Sequence, residues 1–467
     1  MRILALALAA AFVLSAQILP VTPAMRPFER VGAGTVVLTH VKVIDGTGAA
    51  PRVDQTVILS NGQIAAVGKF GEVAVPAGAE VLNLPNHTVI PGLVGMHEHL
   101  FYPSGRGVPI YTEHAFSFPR LYLASGVTTA RTGGGLEVQT DLMVKKWIDE
   151  GRYVGPEMLV TAGYLEGPGT FTPQMLELRD PADAKAFVEY WAGAGATSFK
   201  AYMHITRAEL GAAIAAAHAR NLKVTGHLCS VGFREAAELG IDNLEHGLIV
   251  DSEFMPGKKP DECPNVTAAN LQGLDINGEA VQTTIRELVQ RHVAVTSTLA
   301  VFESAPPVSP RFRDALSPQT LADYMSAREK QSSATREFSA VRVKKEVEFE
   351  RAFVKAGGLL MAGADPTGNG SALAGFADQR GIEMLVEGGF SAAEAVQIAT
   401  LNGAKFLGMG DRIGSVEKGK CADLVVIEGD PASRVAEIEN VRIVFRSGVG
   451  FDSAKLLESV RGTVGVH

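Results

Sequence analysis

The tripeptide His97-Glu98-His99 closes an apolar, strand-like run over residues 89–96. On a strand, residues two apart face the same side, so both imidazoles point one way and Glu98 points the other. A single His-x-His pair carries little information, but the setting recurs. Lys200 lies in Thr197-Ser198-Phe199-Lys200-Ala201-Tyr202, and His227 ends Lys223-Val224-Thr225-Gly226-His227. His246 ends Asn243-Leu244-Glu245-His246, and Asp365 ends Leu359-Leu360-Met361-Ala362-Gly363-Ala364-Asp365. Taken singly, each has an ordinary structural explanation: a solvated rim lysine, a satisfied core histidine, a helix-capping aspartate. Taken together, four histidines, a lysine and an aspartate at the ends of five strand-like runs form a ligand set. Imidazole and carboxylate suit zinc or another divalent transition metal.

Positioning such a set requires strands that all end on one face. Eight candidate strands are legible, at 89–96, 127–131, 158–162, 198–203, 223–228, 243–247, 294–299 and 359–365. Helical stretches separate most of them; Arg207 to Arg220 is rich in alanine and has Thr206 as a suitable N-cap. Strands alternating with helices predict a parallel α/β architecture. Eight such units fit a (β/α)8 TIM barrel, whose active site lies at the C-terminal ends of its strands. No G-x-G-x-x-G follows the first strand, which counts against a doubly wound sheet. Both chain ends read differently, as short β-branched strands with turns at Asn61-Gly62 and at Gly429-Asp430-Pro431. They predict a small β-sandwich domain assembled from 30–88 and 407–467, with the barrel over 89–406.

Composition bounds what the site can serve. The 43 Lys and Arg against 51 Asp and Glu give a formal charge of −8, which argues against a nucleic-acid partner. Arg2, an uncharged apolar run over 3–14 and the small residues Ser15 and Ala16 predict a signal peptide over 1–24. The run is too short to span a bilayer. The expectation is an exported enzyme, periplasmic or secreted, with no stable membrane insertion once the leader is removed; a homo-oligomer is compatible with the sequence. Three cysteines and no C-x-x-C support neither a disulfide framework nor a cysteine zinc site. Cys229 and Cys421 read as inert core residues.

The motifs as a whole resemble the amidohydrolase superfamily over nearly the whole length. They are Pro91 to His99, Gly126-Val127-Thr128-Thr129, Lys200 before Tyr202, Glu245-His246-Gly247, Ala362-Gly363-Ala364-Asp365, Ala399 to Ala404, and Gly414 to Leu424. The lysine on the fourth strand is similar to that of the binuclear, prolidase-like branch, which is related to the imidazolonepropionases. One departure is Thr132, where related enzymes often place an acidic residue after the arginine. The resemblance implies two divalent metal ions, zinc being the expected metal. His97, His99 and Asp365 would bind one and His227 and His246 the other, with Lys200 as a bridging Nζ-carboxylate. A metal-bridging hydroxide would attack the substrate carbonyl, and Asp365 would shuttle its proton to the leaving nitrogen.

The expected reaction is hydrolysis of an amide C–N bond in a small-molecule substrate, a dipeptide or an N-acyl amino acid. A lactone, cyclic-amide or ester hydrolase on the same centre is the alternative. Lys200 disfavours a deaminase, and the intact ligand set disfavours a non-catalytic metal-binding homologue. Tyr202, two residues beyond Lys200, is the candidate substrate contact, and a rim packing role is equally open to it. His114, Arg131 and His204 are polar residues near strand ends that read as structural. The long connections at 251–288 and 302–354 predict a pocket wall or lid. The charged run Arg342 to Glu350 within the second predicts a solvated helix face.

Overall fold

The computed structural model describes residues 19–104, 110–367 and 370–465. The apolar run at 3–14 lies outside the described residues. Leu19, inside the expected leader, is buried, and Thr22 Oγ1 donates to the Gly151 carbonyl.

Eight parallel strand positions form the barrel: β1 (Leu93–Glu98), β2 (Val127–Thr132), β3 (Glu157–Leu159 and Thr161–Leu165), β4 (Ser198–Ala201), β5 (Lys223–Gly226), β6 (Asn243–Glu245), β7 (Ala294–Ser297) and β8 (Leu360–Ala362). Neighbours in sequence are neighbours in space, from β1 to the first piece of β3 and from its second piece to β8. That order is the one a closed barrel requires; a doubly wound sheet would reverse it. Where the sequence predicts a single run at 158–162, the strand breaks at Val160. The ring closes where Asp365 N donates to His97 O at 2.8 Å, beside Gly363 N donating to Ser297 O at 3.0 Å. Gly363 is required there, because a Cβ on it would lie 2.4 Å from His97 N.

Local signals in the sequence explain several elements. Thr206 and Glu209 form a reciprocal capping box that starts the helix Arg207–His218. Its buried Leu210, Ala213, Ile214 and Ala217 repeat at helical spacing and lie on one face. Asn61 and Gly62, with φ of 52° and 73°, make the two-residue hairpin between Arg52–Ser60 and Gln63–Lys69.

The two chain ends share one nine-stranded sheet. His87–Pro91 pairs antiparallel with Leu424–Glu428 and joins the halves. Val36, Leu38 and Val57 from one half pack in a common core with Leu424, Val426 and Ile443 from the other. The predicted strand at 89–96 is therefore two strands: its first part belongs to this sheet and its second to the barrel. The break falls at Gly92, whose N–H donates to Asp423 O at 2.8 Å. A Cβ at Gly92 would lie 2.0 Å from Thr128 Oγ1, so no other residue fits the crossing point.

Two further expectations are corrected. Cys229 is not an isolated core residue; it forms a disulfide with Cys263, and Cys421 remains free and buried. Cys263 lies on the connection after β6, which folds back onto the end of β5, a proximity that a separation of 34 residues does not encode. The run Arg342 to Glu350 is not a solvated face. It belongs to the helix Ser333–Lys355, in which Glu346, Phe349, Glu350 and Phe353 are buried. Phe349 and Phe353 dock it on the barrel, each stabilising by about 1.5–3 kcal/mol on burial. No helix among the described residues is long and apolar enough to cross a membrane.

Candidate active site

The ligand-type residues converge at the C-terminal end of the barrel. His97 and Lys200 are within their strands, His99, His227 and His246 lie one residue past theirs, and Asp365 lies three past β8. His246 and Asp365 adopt positive φ, 67° and 43°. Such backbone is costly for residues with a side chain and persists where the surroundings enforce it, commonly at functional sites. Here His246 N donates to Thr296 O at 2.9 Å, and the closing bond from Asp365 N fixes the other.

His97, His99 and Asp365 each present a ligand atom, all within 4.8 Å of one another. His99 Nε2 is 3.2 Å and His97 Nε2 3.8 Å from Asp365 Oδ1. The far nitrogens are tethered. His99 Nδ1 donates to Gly134 O at 2.9 Å, and His97 Nδ1 donates to Glu245 Oε2 at 2.7 Å. Both bonds leave the Nε2 lone pairs aimed at the common point. Thr367 Oγ1 donates to Asp365 Oδ1 at 2.8 Å.

His227 and His246 stand beside this group rather than in it. Their ring centroids are 4.5 Å apart, and His246 is 4.7 Å from His97. His246 Nδ1 is hydrogen-bonded to Thr298 Oγ1 at 2.7 Å. Lys200 is fully buried between β3 and β5, and its Nζ has no hydrogen-bond partner among the described residues. The nearest carboxylate oxygen is Glu245 Oε1, at 3.8 Å.

Electrostatics keep His97, His227 and His246 neutral, the form in which imidazole binds a metal. Burial and the nearby Lys200 push His97 down to about 4 and His227 down to about 3. Burial and His227 hold His246 well below its ordinary value. Burial pushes Lys200 down to about 8, against the pull of Glu245 and Asp365. For Asp365, burial opposes the charge, yet His97, His99 and Thr367 keep it a carboxylate well below the usual range.

Glu245 is the residue that sequence reasoning missed. Burial opposes its ionisation, but Lys200, His97 and Arg131 hold it well below the ordinary carboxylate value. Arg131 is its partner: Nη1 donates to Glu245 Oε1 at 3.1 Å and to Met96 O at 2.7 Å. Nη2 donates to Thr225 Oγ1 at 2.8 Å, and Nε to Ser198 Oγ at 3.3 Å. Arg131 thus ties β1, β2, β4, β5 and β6 together and orients His97 through Glu245. The available signal was a carboxylate inside the apolar strand Asn243-Leu244-Glu245, because a buried charge must be paired. Thr132, the departure from the family pattern, hydrogen-bonds Thr161 instead of offering an acid. Glu98 points away from the site as expected and accepts from Ala364 N at 3.1 Å.

A cavity of about 840 Å³ opens above the histidines. Tyr202 lines it, with its ring 4.8 Å from both Tyr164 and His227. His114 and His204 do not; His114 stacks 5.1 Å from Phe118, and His204 pairs with Glu166. The connection at 302–354 supplies wall residues from Phe302 to Arg342, whereas 251–288 supplies none. Phe101 and Tyr111, on a two-stranded hairpin after β1, and Phe171 and Met175, on the connection after β3, complete the wall from segments that the sequence did not mark.

Residues 88–449 match the model of the amidohydrolase family. The chain belongs to the amidohydrolase family. It is a hydrolase of a metal-dependent type, and its His-His-Asp group is a site able to hold a metal ion. Among solved structures it is similar to a Xaa-Pro dipeptidase with bound methionine, at 20% identity and TM-score 0.68, covering 90% of this chain and 100% of that one. Bottromycin amidohydrolase matches at 20% identity and TM-score 0.67, covering 95% of each chain. Molinate hydrolase matches at 17% identity and TM-score 0.65, covering 91% of this chain and 96% of that one. At these identities the likeness is one of fold. No curated protein sequence matches the chain.

Proposed function

We propose that the chain is a binuclear hydrolase that cleaves the amide C–N bond of a dipeptide or an N-acyl amino acid. The observation that carries this is Lys200: a fully buried amine without a hydrogen bond, set among His97, His227 and His246. An orphaned buried amine is unfavourable unless a further group completes its surroundings. Addition of carbon dioxide to the neutral amine, with loss of a proton, would satisfy that requirement; His97, His99 and Asp365 would hold one ion, His227 and His246 the other, and the Lys200 carboxylate would supply anionic oxygens to both. Two zinc ions fit a donor set of imidazoles and carboxylates. When bound, they supply Lewis acidity and an ionised water near neutral pH.

The chain's own residues do the rest. Glu245 and Gly134 fix the tautomers of His97 and His99. Asp365 takes the proton of the attacking water and returns it to the leaving nitrogen; Thr367 occupies Oδ1, which leaves Oδ2 for that proton. The Tyr202 hydroxyl donates to the carbonyl oxygen as charge builds on it.

Metal analysis of purified protein should find about two ions per chain, and none would refute the binuclear centre. Lys200→Ala should lose metal and activity, with partial rescue by short carboxylic acids. In a panel of dipeptides, N-acyl amino acids, lactones and esters, amides should be the better substrates; preferred turnover of lactones or esters would overturn the amide assignment. Export to the periplasm or medium is supported by the Cys229–Cys263 disulfide, which suits an oxidising compartment. Because Leu19 and Thr22 pack against the barrel, the exported chain should begin at or before Leu19. Recovery only from cytoplasm with an intact leader would refute export.

A further inference from the structure

We propose that Arg342 anchors the carboxylate on the leaving-group side of the substrate, and that an aromatic wall across the histidines receives the acyl side. This deepens the amide-hydrolase proposal and rests on it for the identity of the scissile bond. Arg342 comes from the helix Ser333–Lys355 and lines the cavity. Its guanidinium carbon lies 4.3 Å from the Phe302 ring centroid and 5.2 Å from that of Phe338. Its Nε is buried without a hydrogen-bond partner, and no ion pair or hydrogen bond from Arg342 is found among the described residues. Glu346, one turn along, is the acid whose charge it feels. That acid is diverted: it accepts from Ile249 N at 3.1 Å, and burial beside Glu350 raises it well above the ordinary carboxylate value.

The other cations of the upper wall are accounted for. Arg328 donates to Pro306 O at 2.6 Å, and Lys330 is exposed. A partly desolvated guanidinium against two rings, with no anion paired to it among the described residues, is incomplete; a carboxylate accepting two N–H bonds completes it.

Ring contacts place the two poles. They run from Tyr202 to His227 at 4.8 Å, from His227 to His246 at 4.5 Å, and from His246 to Phe302 at 5.5 Å, over which Arg342 lies. On the other flank His99 stacks 4.3 Å from Phe101, Phe101 is 5.2 Å from Tyr111, and Phe171 is 6.0 Å from Tyr202. The ligand histidines therefore sit between a cation and an aromatic surface. A dipeptide or N-acyl amino acid carries its carboxylate on the amine product, so Arg342 takes the amine side and the aromatic wall takes an apolar acyl group.

The test compares N-benzoyl-alanine with N-benzoyl-alaninamide on the metal-loaded enzyme. The wild type should favour the carboxylate by about 10- to 100-fold in kcat/KM, the scale of a hydrogen bond to a charged group. Arg342→Met should abolish that preference through KM, with the alaninamide changed by less than about threefold, and Arg342→Lys should retain part of it. Calorimetric binding of 4-phenylbutyrate and 4-phenylbutanol, neither of which has a bond to cleave, separates this from the amide-hydrolase proposal. If Arg342→Met weakens only phenylbutyrate while no amide is turned over, the anchor stands and amide hydrolysis falls. If amides are cleaved and the carboxylate preference survives Arg342→Met, or both ligands lose equally, the anchor is overturned.

Discussion

Replacing Glu245 with Gln keeps the shape of the side chain and removes its charge, which isolates what that charge does. Glu245 accepts from His97 at 2.7 Å and from Arg131 at 3.1 Å, and it lies 3.8 Å from Lys200, all buried. Breaking a buried ion pair by removing one partner costs about 3–5 kcal/mol, because the remaining charge is left uncompensated. Arg131 keeps its bonds to Met96, Thr225 and Ser198, so the expected loss falls near the lower bound, about 3 kcal/mol. The same change weakens the tether on His97 Nδ1, and loss of such a tether lowers metal affinity by about 10- to 100-fold. Urea unfolding of the chelator-treated protein measures the first effect, and zinc competition with a fluorescent chelator measures the second. Arg131→Met should be similarly destabilising, and the double variant should lose less than the sum of the two. A Glu245→Gln protein within about 1 kcal/mol of wild type, with unchanged zinc affinity, would refute the account of Glu245 as the charge that organises His97.

Further outcomes follow from other contacts. Gly363→Ala places a methyl 2.4 Å from His97 N and should force β8 away from β1; soluble protein with full metal content would contradict this. Glu350 is pushed up to about 8 by burial, so the folded state holds its proton more tightly than the unfolded chain does. Its stabilising effect is complete below about pH 4.5 and is lost as pH rises towards 8. Glu350→Gln should flatten the decline in unfolding free energy between pH 5 and pH 8, by about 1 kcal/mol or more; an unchanged slope would refute it. Cys263→Ser opens a loop of 34 residues and should cost about 3 kcal/mol in oxidised protein. Thiol titration of unfolded, unreduced wild type should find one free thiol, that of Cys421; three would contradict the disulfide.

The sequence made the barrel legible because its strands are short apolar runs, and six side chains of the expected chemistry lie at or just past their ends. His97, His99 and Asp365 meet as the family resemblance implies, the two histidines at the end of β1 and the aspartate just past β8. Less visible was anything created by chain reversal across the barrel. Gly92 sits mid-run among apolar residues, and only the pairing with Leu424–Glu428 reveals that one run is two strands. Arg342 and Glu346 look like surface charges until the helix is docked through Phe349 and Phe353, which turns their face inward. Cys263 likewise finds Cys229 through the path of a loop, and loop paths follow from tertiary packing rather than from local propensity. Glu245 was legible in principle, as a charge in a buried strand, but its partner Arg131 is 114 positions away.

The join at Gly92 also dictates an order of events during folding. His87–Pro91 and β1 are one stretch of chain, yet the first part pairs with Leu424–Glu428, more than 330 positions downstream. The strand that carries His97 and His99 is therefore not fully seated until nearly the whole polypeptide exists. Contacts of such long range form late, since their loop-closure entropy must be met before the pairing rewards it. Nascent or C-terminally shortened chains would hold eight barrel strands and every ligand residue, and still lack the clasp that aligns them.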